Sequence, residues 1–453
     1  MELKVKKDVL LWIFLFLESF ILFCHSPNYY SYTFNLFCFI QYIFSCFIFF
    51  RCSKKKNYFD FDVIFMVTYS FVMFVYPIFV YTSNPTFSFF KFDFNENQIS
   101  KGSALALLGI QSYILGASIV KKHLNKKKTG YLYYNFLIVL LYVFFFLFLL
   151  SGGLQVFINL YSNVSSASGI SYYLLIIIPA LALPCIVAWY HNIRLSQSRI
   201  NKKDVFKDKP LFLFIFLFVI LFLLVGSRTL PIQFSLVALG FYFMLFNNLS
   251  LLKLIPLLLL GSLTMFAVLI YRSGMQISAH DLRFYDIFLD LIINNRNTYM
   301  ALDYVDNKGI TWGESMITSL LSPIPFLQST IINLFGLNPT DCASSLIITK
   351  LTLGRDNNLD VGFGTNIIAD LYIAFGVYGV IIGMCFLGFF VNYFRQHSNN
   401  VYCFAAYGVM LSYSIYLVRA EYFFFLRLLL WSLAIINLIK HHPIILIWKE
   451  RKF

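Results

Sequence analysis

Long apolar runs recur along the whole chain, and the short connections between them alternate between strongly basic and weakly charged. That alternation limits the fold more than any single motif. Twelve runs have the size of bilayer-spanning segments, at 9–24, 34–50, 63–80, 102–120, 133–150, 172–190, 211–225, 230–246, 254–270, 366–390, 401–418 and 424–439. With 59% hydrophobic and only 12% charged residues, a soluble globular domain is excluded. Lys4, Lys6 and Lys7 followed by an apolar run from Val9 imitate a signal peptide. No small-residue cleavage site follows, and Phe23 before Cys24 does not suit lipoprotein processing, so this segment is expected to be a retained first helix.

The basic connections contain Lys4/Lys6/Lys7, "RCSKKK", "KKHLNKKK", "RLSQSRINKKDVFKDK", Lys253, Arg395 and the tail from Lys440. Together they hold 24 of the 35 Lys and Arg. Positive loops face the cytoplasm, which puts both termini inside. The expected molecule is an all-α polytopic membrane protein of about 12 transmembrane helices. Residues 1–270 would hold nine of them with short loops, 271–365 a large outer loop with amphipathic helices, and 366–453 three more helices and a cytoplasmic tail. The net charge of +14 then belongs to orientation signals beside anionic headgroups, with no nucleic-acid partner. Eight scattered cysteines, of which only Cys24 and Cys342 would face outward, provide neither a disulfide framework nor a zinc spacing.

Basic residues on the inner side divide into 19 Lys and 5 Arg; those on the outer side divide into 4 Lys and 7 Arg. Arginine's planar fork binds phosphate oxygens in pairs, where lysine offers a point charge. Arg228 follows the run Leu211 to Val225, which at about 1.5 Å per residue crosses about 22 Å of a roughly 30 Å core. Its hairpin tip should therefore lie below the outer headgroups, in a cavity. Thr229 is expected as N-cap and Pro231 in the first turn of the next helix, whose positive end would face the same spot. Arg355, in "LGRDNNLDVGFGTN", repeats this arrangement before a helix opening near Asn366. Arg272 follows the ninth run and Arg419 closes the eleventh. Four arginines at four outer junctions favour a shared anionic ligand over separate snorkelling to lipid phosphates.

In the outer loop, "DLRFYDIFLDLIINN" puts Leu282, Tyr285, Phe288, Leu289 and Ile292 on one helical face, as in a helix lying on the bilayer surface. "SPIPFLQSTIINLFGLNP" is a second apolar piece. Of seven histidines only His25 and His280 would face outward, too few at ligand spacing for a metal site. His280 is either a general base or a plain loop histidine, and Asp281 is expected to cap the surface helix. Asp370, one turn inside the tenth run, either satisfies its own helix terminus or accepts a proton from a substrate hydroxyl. Glu421 is expected to pair with Arg419. Trp312, Tyr285 and Tyr304 are suited to stacking on sugars or to interfacial anchoring. There is no Gly-x-Ser-x-Gly and no nucleotide-binding glycine loop. Any chemistry would therefore use a substrate already activated, with no cofactor.

"GFGTNIIADLYIAFGVYGVIIGM" (Gly362 to Met384), with its glycine-containing loop, Asp370, Tyr372 and Phe-Gly-x-x-Gly, resembles a late stretch of Wzy-type oligosaccharide repeat-unit polymerases. "GSRT", "YRSGM" and "RAEYF" resemble other patches of that family in the same order. The resemblance implies a metal-independent, GT-C-like glycosyltransferase in a Gram-negative inner membrane. It would join undecaprenyl-pyrophosphate-linked oligosaccharides on the periplasmic face, with a separate Wzz-type chain-length regulator. Carried onto this chain, the catalytic set would be Arg228, Arg272, Arg355, Asp370 and His280. Arg419, Thr229, Glu421, Tyr372 and Trp312 would bind substrate. Related ligases rely on a histidine in the large loop, where only His280 is available. The readings that compete with a polymerase are a lipid-linked oligosaccharide flippase or other transporter, an O-antigen ligase, and a non-catalytic membrane component.

Overall fold

The computed structural model describes residues 2–82, 94–120, 130–155, 169–195, 208–273, 288–353 and 364–441, with backbone alone at 2–8, 265, 269–273, 289, 290 and 441. No strand occurs among the described residues. The helices are α1 (Glu2–Cys24), α2 (Tyr32–Cys52), α3 (Phe61–Met73), α4 (Gln98–Ile119), α5 (Asn135–Leu150) and α6 (Ile170–Leu195). They continue with α7 (Lys209–Leu224), α8 (Thr229–Leu245), α9 (Leu251–Ser273), the short α10 (Leu289–Ile292), α11 (Arg296–Lys308), α12 (Ile317–Leu321), α13 (Leu327–Leu334) and α14 (Ser344–Leu353). The last three are α15 (Ile367–Gln396), α16 (Val401–Ser412) and α17 (Leu426–His441).

Every apolar run expected to span contains one of these helices, although α3 stops at Met73 ahead of a separate turn at Tyr76–Val80, and α16 stops at Ser412. Among the described residues, five helices are long and apolar enough to cross a membrane alone, in α2, α4, α6, α9 and α15, and six shorter apolar helices accompany them. Their boundaries follow local capping chemistry. Ser31, Asp60, Asp208, Asn366 and Asn400 each accept a backbone N–H from the first turn of α2, α3, α7, α15 and α16. The core centres on α4, which meets α15 through glycines. A Cβ on Gly116 would stand 1.9 Å from the Cys385 carbonyl oxygen, and one on Gly388 2.0 Å from that of Tyr113. Only glycine lets the two backbones approach this closely.

Three expectations need correction. The lysines of "RCSKKK" are expected to set orientation alone, yet the Lys55 side chain is buried and bonds Asp60 at 2.6 Å and Asp62 at 2.8 Å. Arg395 at the end of α15 reaches the same two carboxylates at 2.9 Å, and Tyr113 donates to Asp62 at 2.5 Å. This network of charges and the Tyr113 hydroxyl clamps α15, α4 and the α2–α3 turn together at one end of the bundle. Phe288 and Ile292, expected on a bilayer-surface helix, are buried instead. Phe288 stacks on Phe71 of α3 with ring centroids 4.2 Å apart, because that helix end offers aromatic surface the bilayer would otherwise cover; residues 281–287 lie outside the described residues.

The third correction concerns the run at 366–390. α15 breaks at Phe375 (φ −140°, ψ 18°) and Gly376 (φ 62°, ψ −150°). The freed carbonyls take new donors from the outer loop: Thr311 N–H bonds Ile373 O at 2.9 Å and Gly313 N–H bonds Ala374 O at 3.3 Å. Before the break all residues from Ile367 to Ala374 are buried. From the break onward Phe375, Tyr378, Ile382, Phe386, Phe390 and Tyr393 point outward at helical spacing. The face shaped for lipid thus begins at the break, and 377–396 spans about 30 Å at 1.5 Å per residue. Asp370 lies before it, inside the layer formed with the outer loop, and not within the lipid-facing part of the tenth run.

Candidate functional site

The hairpin between α7 and α8 is built by a tight helix stop. Gly226 (φ 90°) takes the left-handed conformation, so Gly226 N–H reaches Leu223 O at 3.0 Å and Ser227 N–H reaches Phe222 O at 2.9 Å. This double closure satisfies the last carbonyls of α7. The next residue, Arg228, is the N-cap position of α8, with Pro231 in its first turn; no side chain caps this end. Thr229, expected as the cap, is instead the first helical residue. The arginine therefore stands at the positive end of α8, where backbone N–H groups lack intrahelical acceptors.

Arg228 lines a cavity of about 570 Å³. One wall is a single face of α3, with Ile64, Val67, Thr68 and Phe71. A second is a single face of α8, with Ile232, Ser235, Leu236 and Leu239. Both sets follow i, i+3, i+4, i+7 spacing. The outer wall is α9, whose only buried side chain among those described is Leu254. α9 stands off the bundle, and the gap it leaves is the cavity. One end is closed by Phe59 and Leu251; the opposite end carries Arg228, Tyr416 and Arg419. Two guanidiniums thus crown one end of a long apolar cleft, and no carboxylate is among the described lining residues.

Arg419 ends a 3-10 turn, Tyr416–Arg419, and lies 6.0 Å from the centroid of the Tyr416 ring. The turn is held from behind. Tyr422 N–H bonds Asp370 Oδ2 at 2.8 Å, the Tyr422 hydroxyl donates to Gly383 O at 2.8 Å, and Ser345 Oγ donates to Glu421 at 2.6 Å. Asp370 is fully buried and accepts from a different segment of the chain. Glu421 accepts from Ser345 of α14 where Arg419 was expected, because the extended backbone at Ala420 aims it at α14.

Of the sequence-derived site residues, the structure brings Arg228 and Arg419 to one cavity and puts Thr229 beside them and Asp370 and Glu421 behind them. Tyr372 is buried on α15, and Trp312 is exposed past the end of α11; neither lines the cavity. Arg272 lies on α9, the cavity wall, with its side chain outside the description, and Arg355, His280 and Asp281 lie outside the described residues. Sequence reasoning missed Tyr416 and the hydroxyls Thr68 and Ser235. Tyr416 precedes Arg419 by three residues, and such spacing brings side chains together once a tight turn is assumed. Arg296, counted only among the outer arginines, is buried at the start of α11. Burial pushes its guanidinium down to about 10, so it remains charged at neutral pH.

A family model described as O-antigen polysaccharide polymerase Wzy matches residues 9–452. No curated protein and no solved structure matches the chain.

Proposed function

Because the chain belongs to the O-antigen polysaccharide polymerase Wzy family, a group of glycosyltransferase-type polymerases, we propose that it joins undecaprenyl-pyrophosphate-linked oligosaccharide repeat units at the periplasmic face of a Gram-negative inner membrane. The observation that carries this reading is the cleft with two arginines at one end and aliphatic walls along the rest. A polyprenyl diphosphate has the same division: a long hydrocarbon and a doubly charged head. The gap behind α9 receives the chain sideways from lipid, and Arg228 and Arg419 hold the diphosphate.

In the reaction, an acceptor sugar hydroxyl attacks the anomeric carbon of the donor. The bond from that carbon to the diphosphate oxygen breaks, and the hydroxyl proton passes to a base. Negative charge grows on the departing diphosphate, where the fixed guanidiniums and the start of α8 stabilise it. Holding two membrane-bound substrates together contributes much of the remaining acceleration. Arg272 and Arg355 are proposed to complete the anion site. His280 is the proposed base, with Asp370 supporting the Arg419 turn. No metal and no cofactor enter this scheme, and a Wzz-type regulator sets chain length.

Deleting the gene and examining surface glycan tests the assignment. Single repeat units on lipid A–core are expected. Complete absence of O-antigen there would point to a ligase or a flippase, and lipid-linked units retained on the inner face would single out the flippase.

A further inference from the structure

The segment between α11 and α14 turns large apolar side chains outward. Trp312 is 79% exposed, Phe326 73%, Leu334 75% and Phe335 69%, with Leu320 and Ile324 exposed between them. Isolated surface leucines need no explanation, but a group of this size marks an interaction surface. Two of its aromatics, Trp312 (φ 53°) and Phe326 (φ 63°), sit in the left-handed region, which costs about 1–2 kcal/mol for a residue with a Cβ. No lysine or arginine occurs from 309 to 349, so the patch has no basic rim to hold it among phosphates or in water.

The neighbours of the patch identify what covers it. At one end, Gly313 lies against the Phe375 ring, so closely that a Cβ would approach it to 2.8 Å. Phe375 heads the outward stripe of α15. Midway along it, the Trp431 indole of α17 donates to Pro323 O at 2.7 Å, and α17 carries outward Leu430 and Leu438. The patch therefore runs without interruption into the lipid-facing sides of two apolar helices.

We propose that residues 312–335 form an interfacial foot whose apolar side chains enter the hydrocarbon of the leaflet at the arginine end of the bundle, with α13 half-embedded. Lipid acyl chains are the occupant. Apolar area removed from water contributes about 25 cal/mol per Å², and the foot offsets its backbone strain in this way. Anchored between α15 and α17, it fixes the layer containing Asp370 and the 419–422 turn at headgroup depth.

The test uses the full chain with Cys24→Ser and Cys52→Ser, reconstituted in nanodiscs. An environment-sensitive fluorophore is attached at Phe326→Cys, and separately at Leu334→Cys so that a local disturbance at one position does not decide the outcome. Blue-shifted emission, quenched by lipids with nitroxides on their acyl chains and insensitive to iodide, is expected at both positions. The same label at Asn307→Cys, on the exposed face of α11, should respond to iodide alone. Iodide quenching at 326 and 334 without lipid quenching would overturn the proposal. So would protection that appears only when two chains share a disc, since a second copy would then cover the patch. The readout does not involve polymerisation, so it stands or falls separately from the assigned reaction.

Discussion

Arg228 and Arg419 are the two residues proposed to hold the diphosphate, and replacing guanidinium with ammonium separates charge from geometry. Arg228→Lys keeps the charge and loses the paired donors. Polymer formation is expected to fall roughly tenfold or more, the equivalent of losing one charge-assisted hydrogen bond. The length and amount of surface polymer, normalised to protein level, measure it; a wild-type profile would count against bidentate binding of the diphosphate. Asp370 calls for a different pair of variants. Asp370→Asn retains an oxygen that accepts the Tyr422 N–H, so activity should stay within several-fold of wild type. Asp370→Ala leaves that buried N–H without its acceptor, at about 1–3 kcal/mol, and loosens the turn that presents Arg419. Should Asp370→Asn instead lose on the order of 10²–10⁴ at normal protein level, the carboxylate would be acting as the general base.

At the scale of single elements, α15 shows how a helix tolerates an interruption. Its two freed carbonyls meet donors from 311–313, which satisfies polar groups that lipid could not. Gly376 adopts φ 62° and ψ −150°, a conformation open essentially to glycine. Gly376→Ala should destabilise the protein by about 1–3 kcal/mol, read as a lower thermal midpoint in detergent. At the C-terminal end of the same helix, Arg395→Leu would leave Asp60 and Asp62 with Lys55 as their one cationic partner among the described residues. Breaking one member out of a buried ionic network costs about 3–5 kcal/mol, so this variant should unfold well before Gly376→Ala. An unchanged midpoint for Arg395→Leu would mean that the network contributes little to holding α4 and α15 together.

For the whole molecule, orientation decides whether the arginine end meets the periplasm. Cys24 and Cys52 are exposed and sit at opposite ends of α1 and α2. A membrane-impermeant maleimide should label Cys24 in intact spheroplasts and Cys52 only after permeabilisation; the reverse pattern would put the arginine cleft on the cytoplasmic side. Most helical segments, and the helix opening near Asn366, were legible from the amino-acid order, since apolar run length and capping residues act over a few neighbours, whereas the cap expected at Thr229 was not there. The meeting of Arg228 with Arg419 was legible only as an expectation of a shared ligand, because contacts between positions so far apart depend on how α3, α8 and α9 stack. Lys55 could not be told from Lys54 and Lys56 by composition. Burial among Asp60, Asp62 and Arg395 distinguishes it, and that is a property of packing. The break at Phe375–Gly376 was hidden for the same reason: a glycine inside an apolar run is compatible with a straight helix, and only the N–H groups of 311–313, supplied from another part of the chain, make the interrupted backbone affordable.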